Sequence, residues 1–267
     1  GAVNVTYIQI PGSVTEIGES AFAGAGANKY LSLLIANGVK TINKYAFFGS
    51  GLTSISIPGS VTSIGNDAFA SCSKLTSVTG MKNVKEMGVG IFSDCDKLAS
   101  VNLNSGLQLI GVGMFFNCDA LQTVDIPSSV TSIGDSAFCD CDALQTVDIP
   151  SSVTSIGNNA FHNCHALQIV KLHSGLKTIG KQAFYSCGNV KKLTIPSSVT
   201  SIGAGAFSRN TTLNVIANST GLRYASANGY KYTVVSEGLR RAPNGNWYYY
   251  VGDEVDWTYT GMAYANN

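Results

Sequence analysis

Apolar and polar positions along this chain follow two periods, one of about two residues and one of 23. The short period is plain in residues 119–134, DALQTVDIPSSVTSIG, where Val124 and Ile126 alternate with Thr123 and Asp125. Such alternation predicts a brief β-strand with Val124 and Ile126 inward and their neighbours outward. The long period appears because residues 142–157 repeat the same sixteen letters without a change. Ile17, Ile42, Ile64, Met87, Ile110, Ile133, Ile156, Ile179 and Ile202 form one column, spaced by 25, 22 and then 23 residues. Five residues after each stands a Phe, from Phe22 to Phe207.

The unit is L-x-x-V-x-I-P-x-x-V-x-x-I-G-x-x-A-F-x-x-C-x-x. Pro11, Pro58, Pro127, Pro150 and Pro196 follow the strand, where a residue without an N–H ends a ladder. The column after Ile holds eight Gly and Asn43, the residue types that best tolerate a left-handed backbone, which predicts positive φ there. A helical turn is expected next, carrying Ala and Phe into the core. Each unit buries its apolar face only against the next, so the units must stack, with strands about 4.8 Å apart. The repeats between 75 and 114 break the pattern: Gly80 stands in the strand Ile column, Met81 in the Pro column, and Ile91 and Met114 replace the Ala. The expectation is that Gly80 and Ile91 compensate in volume.

These residues resemble the BspA-like leucine-rich repeat, over residues 3–218. The resemblance implies an α/β solenoid: a right-handed leucine-rich-repeat superhelix, here of about nine 23-residue repeats, with a parallel concave sheet; the alternating aromatics past it add a small C-terminal β-hairpin. It also implies secreted or cell-surface bacterial proteins that act in adhesion and protein binding. The domain reading is a solenoid at 1–218, a C-terminal cap at 219–236 and an aromatic-rich hairpin at 237–267.

Of the seven Cys, six share one column: Cys72, Cys95, Cys118, Cys141, Cys164 and Cys187. Ala25, Ser50 and Asn210 hold it in other repeats, so a narrow buried slot explains it better than chemistry. Neighbouring Cβ atoms about 4.8 Å apart exceed the disulfide range of about 3.5–4.5 Å, which predicts reduced thiols. Cys139 lies off that column, stacked beside His162 and near Asp140. A thiolate nucleophile is conceivable there, but the favoured reading is a half-exposed thiol beside a surface His. Asp94, Asp96, Asp119, Asp140 and Asp142 lack the spacing of a dedicated calcium loop and read as a solvated acidic edge.

Outward strand positions form the candidate binding face: Gln122, Thr123, Asp125, Gln145, Thr146, Asp148, Lys171 and Lys192. Solenoids bind extended partners on such surfaces, although Ser and Thr also simply suit exposed strands. The C-terminal residues change character. Around Gly252-Asp253 the chain carries Trp247, Tyr249, Trp257 and Tyr259, which read as a hairpin. They are similar to the aromatic repeats of Gram-positive surface proteins related to choline- or glucan-binding modules. That likeness implies contact with the cell wall; the same aromatics could instead form a small hairpin core.

Composition narrows the classes. With 12% charged residues, a net charge of +1 and no long basic run, nothing points to nucleic acid. No stretch of eighteen apolar residues is present, so no membrane span is expected. A chain starting at Gly1 without a leader pattern reads as an excised mature fragment. The sequence reading is a non-catalytic cell-surface or secreted interaction module for an extracellular protein or glycan, without cofactor or metal. The alternative is a structural spacer.

Overall fold

In a computed structural model, residues 4–103, 105–241, 247–251 and 254–255 are described. The alternating segments form four-residue strands at Tyr7–Ile10, Ser32–Ile35, Ser54–Ile57, Ser77–Gly80, Ser100–Leu103, Thr146–Ile149, Ile169–Leu172 and Lys192–Ile195. Their pairings are parallel and in register at the repeat spacing, as in Val78 opposite Val101 and Val147 opposite Val170. The 123–126 segment joins through single bridges, Asn102 to Asp125 and Thr123 to Thr146. The Ile column forms a second line of two-residue parallel strands, for example Ser132–Ile133, Ser155–Ile156 and Thr178–Ile179. Hydroxyls after the Pro column tie rungs together on the way: Ser129, Ser152 and Ser198 each donate to a carbonyl of the preceding rung at 2.7–2.9 Å. The result is a parallel-sheet β-solenoid.

The expected helical turn on the third side is absent. That side is a ribbon in which alternate N–H groups point along the stack. Ser136, Phe138 and Asp140 donate to Asn158, Ala160 and His162 of the next rung, at 2.7–2.8 Å. The residues between them, Ala137 and Cys139, donate back three residues within the rung. Positive φ falls inside this ribbon, at Ser136 (53°) and Asp140 (59°) and at the equivalent Asn159 (54°) and Asn163 (57°). A backbone that flips hand every few residues cannot propagate a helix.

The Gly column therefore has a different cause from the one expected. Gly157 and its column-mates do not have positive φ. A Cβ at Gly157 would stand 2.5 Å from the backbone nitrogen of Asp135, one rung below. Close backbone approach excludes the side chain. Two members of the column lack that contact: Gly18, on its first rung, would meet nothing within 4 Å, and at Gly111 the nearest atom stands 3.5 Å away.

Down the centre runs a stack of Phe rings. Neighbouring centroids from Phe22 to Phe207 lie 5.1–6.2 Å apart and the planes tilt by 2–17°. Gly80 does not trade volume with Ile91. Its φ is +100° and a side chain there would overlap the Ile57 carbonyl. The chain turns at this point, and Met81, fully buried, fills the core one position later.

The described structure has a single α-helix, Thr220–Ala227, capped by the Ser219 hydroxyl accepting from the Leu222 N–H at 3.2 Å. It packs on the last rung, where Tyr224 and Tyr230 meet Phe207 edge-on. The Tyr224 hydroxyl accepts from the Ala206 N–H at 3.0 Å, and the Tyr230 hydroxyl donates to the Phe207 carbonyl at 2.8 Å. The Tyr230 bond satisfies a carbonyl that the next rung's cysteine meets elsewhere, and the Tyr224 bond takes an N–H whose equivalents at Ala137 and Ala183 turn back within their own rung. Beyond strand Tyr232–Val235, Glu237–Arg241, Trp247–Val251 and Glu254–Val255 pair antiparallel.

Candidate functional site

Every predicted binding-face residue is exposed. Thr123, Asp125, Thr146, Asp148, Lys171 and Lys192 lie on outward positions of the long-strand side, while the alternate positions are buried, and Gln122 and Gln145 immediately precede it. Register places Asp148 opposite Lys171 and Thr146 opposite Ile169. His173 reaches back to Asp148, Nε2 to Oδ1 at 2.7 Å. Ile169 was not among the sequence candidates, yet it is 51% exposed. A large aliphatic following the run Ser32, Ser54, Ser77, Ser100, Thr123 and Thr146 in one column was the available signal. Ile169 lines an open depression together with Gln168, Asn189, Lys191 and Lys192. Around this depression the surface combines an exposed aliphatic with a cationic margin; Tyr7 and Leu34 are exposed on the same face several rungs away.

Of the aromatic candidates, Trp247 and Tyr249 lie in the strand Trp247–Val251, whose backbone alone is described. Trp257 and Tyr259 lie outside the described residues.

All seven cysteines are free. The six column thiols are 0–1% exposed, and each donates to the carbonyl of the preceding repeat's Phe at 3.0–3.4 Å. Asn210 does not occupy the slot as the column spacing suggested; it is exposed. The buried Ser208 hydroxyl makes the bond to the Phe184 carbonyl instead, at 3.3 Å.

Cys139 is also more buried than expected, at 6% exposure. Its Sγ donates to Asp140 Oδ2 at 3.1 Å and lies 3.9 Å from His162 Nδ1. Burial first, and then the Asp140 carboxylate beside it, push this thiol well above its ordinary range. A thiolate nucleophile needs the opposite environment. On the acidic edge, Asp96, Asp119 and Asp142 are exposed; burial and then the Asp142 and Asp96 charges raise the Asp119 carboxyl. His165 Nδ1 pairs with Asp142 Oδ1 at 2.6 Å.

A stacked, parallel, phenylalanine-centred rung with a polar strand face defines a leucine-rich-repeat solenoid. Residues 1–121 and 132–237 match the BspA type leucine rich repeat region in six copies, and the chain belongs to that family. Two solved structures are similar. One is a leucine rich cell surface protein from Faecalibacterium prausnitzii A2-165, 25% identical with a TM-score of 0.52, the match covering 86% of this chain. This chain spans 60% of the length of that one. The other is the leucine rich repeat protein of T. pallidum, 26% identical with a TM-score of 0.51, covering 68% of this chain and 85% of that one. No curated protein matches the sequence significantly. Among the described residues, no helix is long and apolar enough to cross a membrane.

Proposed function

We propose that this chain is a cell-surface or secreted interaction module that holds an extended extracellular protein or glycan across its long-strand face. The observation that carries the reading is Ile169, exposed beside Lys171, Lys191 and Lys192, with Thr146 opposite it on the preceding strand. An apolar anchor ringed by polar groups is how partner sites on rigid scaffolds are built. Membership of a repeat family whose similar structure is described as a cell surface protein supports the location. On this reading, residues 1–218 are the binding solenoid, 219–236 cap it, and 237–267 begin a segment that contacts the cell wall through its aromatics. The scaffold has no catalytic task in this proposal. Binding of the whole chain to immobilised matrix proteins, mucins and wall glycans tests it. Saturable binding to at least one class is expected, and binding to none above background leaves the structural-spacer reading.

A further inference from the structure

Three ligating side chains that no part of the solenoid architecture requires converge on one edge. Cys139, Asp140 and His162 each bring one donor atom within 4.8 Å of the other two, and Cys139 Sγ lies 3.1 Å from Asp140 Oδ2 and 3.9 Å from His162 Nδ1. We propose that they form a binding site for a borderline-soft divalent transition ion, of which zinc is the type.

The chemistry of the donor set comes first. Thiolate, imidazole and carboxylate are the three ligand types zinc accepts, at about 2.3, 2.0–2.1 and 2.0–2.2 Å. Tetrahedral angles at those lengths separate sulfur from nitrogen or oxygen by about 3.6 Å. The observed separations of 3.1 Å to Asp140 and 3.9 Å to His162 fall on either side of that value. Hard ions such as calcium want more oxygen donors than this edge supplies.

The outer partners are also in place. Asn163 Nδ2 donates to Asp140 Oδ1 at 2.8 Å, which holds the carboxylate with Oδ2 turned to the sulfur. The His162 ring stacks on Tyr185, centroids 5.6 Å apart. The Asp140 N–H donates to the His162 carbonyl at 2.8 Å, so adjacent rungs fix the spacing of the ligands. Such outer contacts orient ligands and raise affinity. The wider fold explains the location. The copied unit at 119–134 and 142–157 leads into different letters on the third side, and only at Cys139–His162 does that column place a thiol next to an imidazole.

On binding, the thiol proton now directed at Asp140 Oδ2 leaves to solvent. Sulfur, Oδ2 and Nδ1 each donate an electron pair to the ion, and no redox change occurs. A fourth position remains for water or for a donor from outside the chain.

The test is zinc titration of the whole reduced chain against a chromophoric chelator, repeated with cobalt(II) as a spectroscopic probe. One ion per chain and a thiolate-to-cobalt charge-transfer band are expected. C139A and H162S should each abolish stoichiometric binding. Both are residues the same column already carries, at Ala70 and Ser93, so the rung should still form; circular dichroism checks that. N163A should weaken binding by about 10–100-fold. H165A, at the neighbouring exposed pair with Asp142, should leave it unchanged. No binding, or binding that survives C139A without the charge-transfer band, overturns the proposal.

Discussion

Cys141 Sγ lies 3.2 Å from the carbonyl oxygen of Phe115, one rung earlier, and donates to it inside the core. The same bond recurs at all six column cysteines, so the thiol column is a hydrogen-bonding device as well as a small-residue slot. Removing the donor leaves a buried carbonyl unmatched and a small void beside it. Cys141→Ala is expected to lower stability by about 1–3 kcal/mol, read from urea unfolding. An unchanged midpoint would show the carbonyl to be satisfied without the thiol.

The ladder also predicts a pH dependence. Burial raises the thiols of Cys72, Cys95, Cys118, Cys141 and Cys164, Cys72 to about 11 and Cys141 to about 12. An unfolded thiol ionises near 8.5. Below that pH both states hold the proton and the stabilisation is complete. As pH rises past about 8.5 the unfolded state loses its protons first, so stability falls, by up to about 1.4 kcal/mol per pH unit for each thiol. The loss continues until the folded thiols themselves ionise. Cys118→Ala should show a shallower decline of the unfolding midpoint with alkaline pH than the unaltered chain. Parallel declines would remove the thiols as its cause.

At the C-terminal end, the Tyr230 hydroxyl does for Phe207 what the next repeat's cysteine does elsewhere. Tyr230→Phe keeps the ring against Phe207 and deletes only the donor. A loss of about 1–3 kcal/mol is expected, with hydrogen exchange accelerating first in the last rung. Uniform exchange along the chain would argue against a local end-capping bond.

Glycine has two meanings in this chain, and two substitutions separate them. Gly157→Ala forces a Cβ against the Asp135 backbone and should destabilise by about 1–3 kcal/mol. Gly188→Ala meets nothing closer than the Asn210 side chain at 3.8 Å and should be near neutral. Equal melting temperatures for the two variants would contradict the close-approach account.

These pairs mark what was readable in the sequence. Repeat length, the core columns, strand register and the outward face follow from side-chain type and spacing, because each rung sees the same environment. The third side was misread for a physical reason. Gly was assigned to φ when its role is close approach, and the residues that do adopt positive φ, such as Asn159, Asp140 and Asn163, are polar and look like ordinary surface. The one-residue shift from Gly80 to Met81 was hidden because a broken column does not say which neighbour refills it. The partners of Tyr224 and Tyr230 were hidden because they depend on how a non-repeating segment folds back.

The most direct test of the central claim compares two charge-and-shape variants of the whole chain in the same binding panel of matrix proteins, mucins and wall glycans. One replaces Ile169 and Lys171 by Asp and Glu on the long-strand face. The other replaces Lys181 by Glu, on the Ile-Gly side of the stack. The interaction account predicts that the first loses binding by at least about tenfold, as truncating a central anchor does, while the second binds like the unaltered chain. Equal affinities across all three, or binding lost only in the Lys181 variant, would contradict it.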